Sequence, residues 1–267
     1  MPRISPRSAL LLAAAAASLA AGASAFAAGA DRGQTYNDDD EMRARQEIHE
    51  TYRISPRGTV RVRGIAGPVT VETTDGGDTA QVDIVRMAAT ERELQCYRTE
   101  VTSSPDRLTI EHVQREHDRD CRNIRSRQEV RLRVPRSVNL DFSTIAGALD
   151  VAPVDGMVRL SSIAGQATLA RVRAAEIDSV AGGLSLGIAP MTEEGVRISS
   201  VVGPVDLSFG PGVDADLSVD SVMGSVRSLS PDFDVSEEYG TYRARLGSGR
   251  GRLSLSSVIG PVRLRRP

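Results

Sequence analysis

The chain has 267 residues, with 33 basic against 35 acidic side chains and a formal charge of −2. Aromatic residues make up only 3% and Trp is absent, so a core must be filled by Val, Leu, Ile and Ala, which pack well on pleated β layers. Near-neutral charge argues against a dedicated nucleic-acid binder, which carries a basic face. Every basic residue is Arg and none is Lys, a bias that GC-rich codon usage accounts for without a functional reading.

Residues 1–28 read as a cleaved signal peptide. Arg3 and Arg7 give a positive start, Ala9 to Ala21 form a short apolar run, and Ala23-Ser24-Ala25 and Ala25-Phe26-Ala27 offer small-x-small cleavage sites. The run falls short of the ~20 apolar residues a bilayer span needs. No Cys closely follows it, no second apolar stretch appears, and the closing Arg263-Leu264-Arg265-Arg266-Pro267 carries no sorting signal. The expectation is an exported protein, periplasmic or secreted, soluble after processing and without a membrane span. Residues 29–50 centre on Asn37-Asp38-Asp39-Asp40-Glu41 and read as a disordered acidic leader, too poor in apolar surface to order itself. The Gly and terminal Glu of an EF-hand loop are not at their required spacing.

Residues 51–135 form an N-terminal β section. It opens on one copy of a repeat, and Gln81 to Met87, Arg107 to Val113 and Glu129 to Val134 then alternate as strands between polar turns. Residues 72 to about 131 read as a cap or insertion, covering an end that would otherwise be an unpaired edge. The section holds both cysteines, Cys96 and Cys121. In an exported chain an even pair forms a disulfide, and closing such a loop stabilises by about 3 kcal/mol. His112 and His117 lie between them, but the spacing fits no zinc pattern and oxidised thiols do not ligate. No metal or cofactor is expected.

The most informative feature is internal repetition. Seven copies are anchored on Gly67, Gly147, Gly165, Gly182, Gly203, Gly224 and Gly260. Three residues earlier stands a hydroxyl: Thr144, Ser162, Ser179, Ser200, Ser221 and Ser257, with Gly64 the exception. Two before each glycine is Ile or Val, and apolar residues stand five and seven before it and two and, except at Ser228, four after it. Each copy is therefore a period-two strand, a glycine corner and a second period-two strand. From Gly147 the copies recur every 17 to 21 residues, apart from a 36-residue gap that reads as a degraded copy around Gly240, with Phe233, Val235, Tyr242 and Ala244 in register. No helix fits between copies, so each must bury its apolar face against the next. Residues 136–267 are read as a β-solenoid, and the whole as an all-β chain with an N-terminal β cap. The glycines permit tight corners or close backbone approach, and the hydroxyls are expected to stack into a ladder. Side-chain parity flips between the hydroxyl and the β-branched residue, so one of them turns outward or the strand bulges.

Glu129-Val-Arg-Leu-Arg-Val-Pro135 with Leu140-Asp-Phe-Ser-Thr-Ile-Ala-Gly147, and the opening Gly58-Thr-Val-Arg-Val-Arg-Gly-Ile-Ala-Gly-Pro-Val-Thr-Val71, resemble the bacterial putative-adhesin domain family of β-strand-repeat proteins. The resemblance spans residues 50–267 and implies an envelope-associated β-solenoid with no catalytic residue. The function expected is a non-catalytic structural, adhesin-like or binding role at the cell envelope. Its partner would be an envelope polymer or another envelope protein, and not a nucleic acid. Outward arginines such as Arg159, Arg197, Arg227 and Arg263 are candidate contacts for anionic polymers. One alternative is a β-helix polysaccharide lyase or glycosidase, which needs paired carboxylates. Asp150 with Asp206, and Asp178 with Asp220, hold equivalent repeat positions, but other copies place Thr, Ser or Arg there. The other alternative is an accessory protein in envelope-stress signalling.

Overall fold

The computed structural model describes residues 42–114, 121, 124, 126–220, 222–238 and 241–266. The expected signal peptide, the leader up to residue 41, His117, Ser221 and Gly240 lie outside the described residues.

In chain order, β1 (Ala44–Arg53) leads into the first repeat, β2 (Thr59–Arg63) and β3 (Val69–Thr74). The expected leader ran to residue 50, yet its last seven residues belong to β1, which pairs antiparallel along the whole of β4 (Thr79–Ala88). Next come helix α1 (Glu91–Cys96), β5 (Tyr97–Ser104), β6 (Arg107–Gln114) and β7 (Ser126–Pro135). The short helix is set by a capping box, in which Thr90 accepts from the Glu93 amide and Glu93 from the Thr90 amide. The repeats follow as β8 (Asn139–Ala146) and β9 (Leu149–Val151), β10 (Met157–Ala164) and β11 (Ala167–Val172), then β12 (Ala174–Ile177), β13 (Val180–Ala181) and β14 (Leu184–Ile188). After them come β15 (Val196–Ile198), β16 (Val201–Val202) and β17 (Val205–Phe209), and β18 (Ala215–Val219), β19 (Val222–Met223) and β20 (Val226–Ser228). The chain finishes with the hairpin β21 (Asp234–Glu238) and β22 (Thr241–Leu246), and the last repeat, β23 (Gly251–Leu255), β24 (Val258–Ile259) and β25 (Val262–Arg265).

Among the described residues the chain is all-β, with two mixed sheets and no closed barrel. Arms before the glycines build a 15-stranded sheet and arms after them a 10-stranded sheet. Within each, repeats pair in parallel and in register. Leu140, Val158, Ala175, Val196, Leu253 and Leu217 are successive partners in the larger sheet. Val69, Leu149, Ala167, Leu184, Val205, Val262 and Val226 are partners in the smaller one. The inward residues of both sheets merge into one buried cluster. Alternate arm residues face out, as the period of two requires.

The parity flip resolves as two consecutive outward residues. In β8, Phe142 and Ile145 are buried while Thr144 is exposed, and Thr144 and Ser162 take left-handed backbone at φ 56° and 59°. Gly64, the exception to the hydroxyl rule, sits at the same point with φ 70°. In these three copies the point takes a positive φ, which glycine adopts most easily, whereas Ser179, Ser200 and Ser257 hold it without one. The hydroxyl residues Thr144, Ser162, Ser179 and Ser257 are exposed and Ser200 half-buried. The bonds that join their positions come from the backbone: the Ser179, Ser200 and Ser257 carbonyls accept from the Ile163, Val180 and Val201 amides at 2.9, 3.0 and 2.9 Å.

The order of the layers departs from the order of the chain at both ends. The last repeat inserts between the Gly203 and Gly224 repeats, as the orders β17, β25, β20 and β16, β24, β19 show. At the other end the first repeat is second in the stack, because β6 pairs parallel with β2 and β7 parallel with β3. The section expected to be a cap or insertion contributes a layer to both sheets, with Gln128 opposite Gly67, and a cap of β1, β4 and β5 beyond it. The gap expected to hold a degraded repeat holds an antiparallel hairpin on β18. Phe233 and Ala244 are buried there as the register implied, but antiparallel pairing lets a hairpin close with a short turn where a parallel layer cannot. Asp214 accepts from the Ser248 hydroxyl and the Gly249 and Arg250 amides, fixing the turn that carries the chain from β22 to β23.

Candidate functional site

Cys96 and Cys121 are joined, with Cα atoms 5.4 Å apart. The bridge ties α1 to the chain beyond β6 and closes the N-terminal cap. Beside it the half-buried ring of His112 stacks on Tyr97 at 4.8 Å and meets the Gln128 amide group. Burial, then the Arg86 guanidinium, holds His112 below the usual histidine range. Arg86 is itself buried and donates to Gln46 at 2.6 Å and the Leu94 carbonyl at 2.7 Å. This is a polar brace within the cap, and Arg86, Gln46, Leu94 and Tyr97 also line a shallow open depression on the cap surface. His49 lies apart and exposed, hydrogen-bonded to Asp83 at 2.6 Å; that bond, then one to Glu47, raises its pKa. Among the described residues no group of three His, Cys, Asp or Glu is placed to hold a metal.

The carboxylates weighed for catalysis do not converge. Asp150 and Asp206 share a row on the smaller sheet, but Thr168 and Ser185 stand between them. Three strand spacings make about 14 Å, well beyond the ~5–9.5 Å separations of glycosidase pairs. Asp178 and Asp220, the residues that directly follow β12 and β18, are likewise three layers apart, with β15 and β23 between those strands. Asp206 is engaged by Arg263 at 3.3 Å.

What the fold does assemble is a continuous outer row across the larger sheet. Parallel register places Thr102, Thr109, Arg61, Asp141, Arg159, Glu176, Arg197, Ser254, Ser218, Arg243 and Ser236 side by side on eleven strands. Its N-terminal half is self-neutralised: Arg61 bonds Asp141 at 2.7 Å and Arg159 bonds Glu176 at 3.2 Å. Its C-terminal half is not. Arg197 and Arg243 are exposed and, among the described residues, have no ion pair or side-chain hydrogen bond, and the same holds for Arg245 and Arg252 in the adjoining row. A shallow open groove there is lined by Asp216, Ser218, Asp234, Arg243, Arg245 and Arg252.

A second surface feature follows the corners. The residue before each glycine points outward, and in stacking order these are Ala66, Ala146, Ala164, Ala181, Val202, Ile259 and Met223. Val202, Ile259 and Met223 are 52%, 50% and 72% exposed, so the ridge becomes larger and more apolar toward the C-terminal end.

Of the arginines singled out in the sequence, Arg159 and Arg263 are neutralised, while Arg197 and Arg227 have no ion pair among the described residues. Arg243, Arg245 and Arg252 are not marked by the repeat pattern; Arg243-x-Arg245 puts two charges on one face of a strand, a signal that the reading of this segment as a degraded repeat obscures.

No protein-family model and no curated protein matches the chain. Among solved structures, it is similar to a putative cell adhesion protein from Clostridium sporogenes ATCC 15579, with 11% identity over 83% of this chain and all of that one, at a TM-score of 0.43. It is similar to a putative adhesin from Bacteroides fragilis NCTC 9343, with 9% identity over 82% and 97% of the two chains and a TM-score of 0.22. A putative lipid binding protein from Parabacteroides distasonis ATCC 8503 shows 11% identity over 82% and 96%, at a TM-score of 0.28. Likeness at this level establishes neither a shared family nor a shared activity. Among the described residues no helix is long and apolar enough to cross a membrane.

Proposed function

We propose that this chain is an exported, non-catalytic binding protein of the bacterial envelope, whose stacked repeats form a short β-solenoid serving as a rigid, flat platform. The observation that carries the reading is the outer row of eleven strands, in which parallel register holds side chains at about 4.8 Å intervals without enclosing a pocket. Such a surface suits an extended ligand, a polymer or a protein face, better than a small substrate held in a cleft. The Cys96–Cys121 bridge supports an oxidising compartment, in line with the signal-like first 28 residues. The separation of Asp150 from Asp206 weighs against the lyase or glycosidase alternative.

The test has two arms. Mass spectrometry of the protein recovered from the native envelope fraction is expected to show cleavage near Ala25 or Ala27. Co-sedimentation with purified envelope polymers, together with crosslinking in intact cells, is expected to give a bound species. An uncleaved cytoplasmic protein, or glycan hydrolysis with no stable binding, overturns the proposal.

A further inference from the structure

Resting on that reading of the outer face, we infer that the groove lined by Arg243, Arg245 and Arg252, together with Arg197 farther along the same face, is a binding site for a linear acidic polysaccharide. The contrast within one row carries the inference. Toward the N-terminal end each outward arginine of the row has a carboxylate beside it in register, and Arg61 and Arg159 are tied at 2.7 and 3.2 Å. Past Glu176 the row changes to Arg197, Ser254, Ser218, Arg243 and Ser236; Arg197 stands beside Glu176, which Arg159 already engages, Arg243 has only serines beside it, and neither arginine forms an ion pair among the described residues. In the adjoining row Asp234, Arg245, Asp216 and Arg252 alternate, yet neither arginine is ion-paired. Four exposed guanidinium groups thus gather on one face of a chain whose overall charge is −2.

The chemistry of the face selects the ligand. A guanidinium fork donates two parallel hydrogen bonds to a carboxylate or sulfate. Arg243 and Arg245 stand two residues apart on one strand, about 7 Å, and Arg197 and Arg243 stand three strands apart, about 14 Å. Charges at these intervals, with the Ser254 and Ser218 hydroxyls between Arg197 and Arg243 and Ser236 beyond Arg243, match a polymer whose anionic groups are separated by hydroxyl-bearing stretches. Nucleic acid fits less well. Its charges are far denser than the spacing of these arginines, so more of them fall beside Asp216 and Asp234 than with a sparsely charged polymer, and the face carries no ring for bases to stack on, since Tyr242 packs against the core.

The experiment is affinity electrophoresis and calorimetry of the purified protein with four probes: polygalacturonate, dextran sulfate, neutral dextran and a single-stranded oligonucleotide. Expected is binding to one or both acidic glycans that weakens with salt, and a loss of tenfold or more in the R243Q/R245Q double variant. R243K/R245K is expected to recover part of it, and R227Q, on the other sheet, to leave it unchanged. The variants alter exposed side chains, and unchanged circular dichroism melting verifies that they fold. Glycan binding equally strong in R243Q/R245Q, equal loss in R227Q, or preference for neutral dextran or the oligonucleotide overturns the site. Polygalacturonate then separates carboxylate recognition from sulfate recognition. If the protein binds no polymer at all and captures no envelope protein, the platform reading itself fails; binding that ignores these arginines sinks only this inference.

Discussion

A Cβ on Gly260 would stand 2.3 Å from the carbonyl oxygen of Gly203, so the last repeat lies directly on a repeat that precedes it by 57 residues. Gly224 in turn lies on Gly260, where its Cβ would meet that carbonyl at 2.2 Å. The spatial order is therefore 203, 260, 224. The same contact recurs along the corner through Gly182, Gly165, Gly147 and Gly67, and it explains why the motif keeps its glycine while neighbouring positions vary.

Replacing Gly203 with Ala is expected to cost about 3 kcal/mol or more. The new methyl would lie 2.1 Å from the Gly182 carbonyl oxygen, and the residue sits at φ 143°. Gly76, with nothing within 4 Å of an added Cβ, is the control, and Gly76→Ala is expected to change stability by less than about 0.5 kcal/mol. Urea unfolding of the two variants checks the contrast. Equal effects would mean the corners are not in backbone contact.

Truncation tests the layer order. In a simple stack, removing the last repeat trims an end and leaves the rest folded. Here residues 251–266 form a middle layer, with β15 to β17 on one side and β18 to β20 on the other. Deleting them is expected to release everything after about residue 210, seen as new protease cleavage sites in β18 to β22. A truncated chain as resistant as the parent would show that the C-terminal repeat does lie outermost.

The inward positions were legible because a half-buried strand imposes a period of two, and each arm shows it. The glycine corner was legible because close backbone approach admits one residue type. The layer order was hidden for a physical reason: parallel register fits any repeat against any other, so Leu253 suits Val196 as well as Leu217 does. The turn at Asp214, Ser248 and Gly249 decides the order, by sending β23 back along the open side of β18. The unpaired groove was hidden for the same cause, since whether Arg243 meets Asp or Ser depends on its neighbour in space.

Val205 has no exposed surface and packs between Leu184 and Val262, whereas Val202, three residues earlier, is 52% exposed. Val205→Asp is expected to cost about 3 kcal/mol or more by burying a charge without a partner. Val202→Asp should be within about 1 kcal/mol of the parent. Thermal melts of both separate them, and similar melting points would mean that the inward register has been misassigned.

The disulfide closes a loop with a sequence separation of 25, worth about 3 kcal/mol by the chain-entropy relation. The double variant C96S/C121S is expected to lower stability by roughly that amount. The disruption should centre on α1, β5 and β6 rather than on the repeats. Hydrogen exchange localises it: faster exchange confined to residues 91–114 is the expected pattern, and uniform acceleration along β10 to β17 would contradict it.

The two described histidines titrate in opposite senses. His112 is held below the ordinary value by burial and Arg86, so the unfolded chain takes up its proton at a higher pH than the folded chain. Its contribution is present above the unfolded value near 6.5 and is lost as pH falls through the lower folded value. His49, raised chiefly by its hydrogen bond to Asp83, contributes below the unfolded value and loses that contribution as pH rises through the folded one. In H49Q the opposing contribution is absent, so stability of the cap is expected to decline steadily as pH drops from about 7 toward 5. In H112Q the slope over that interval is expected to reverse or vanish. Following each imidazole by NMR while unfolding is measured in parallel decides the assignment, and a His112 that protonates at or above the free-histidine value would overturn it.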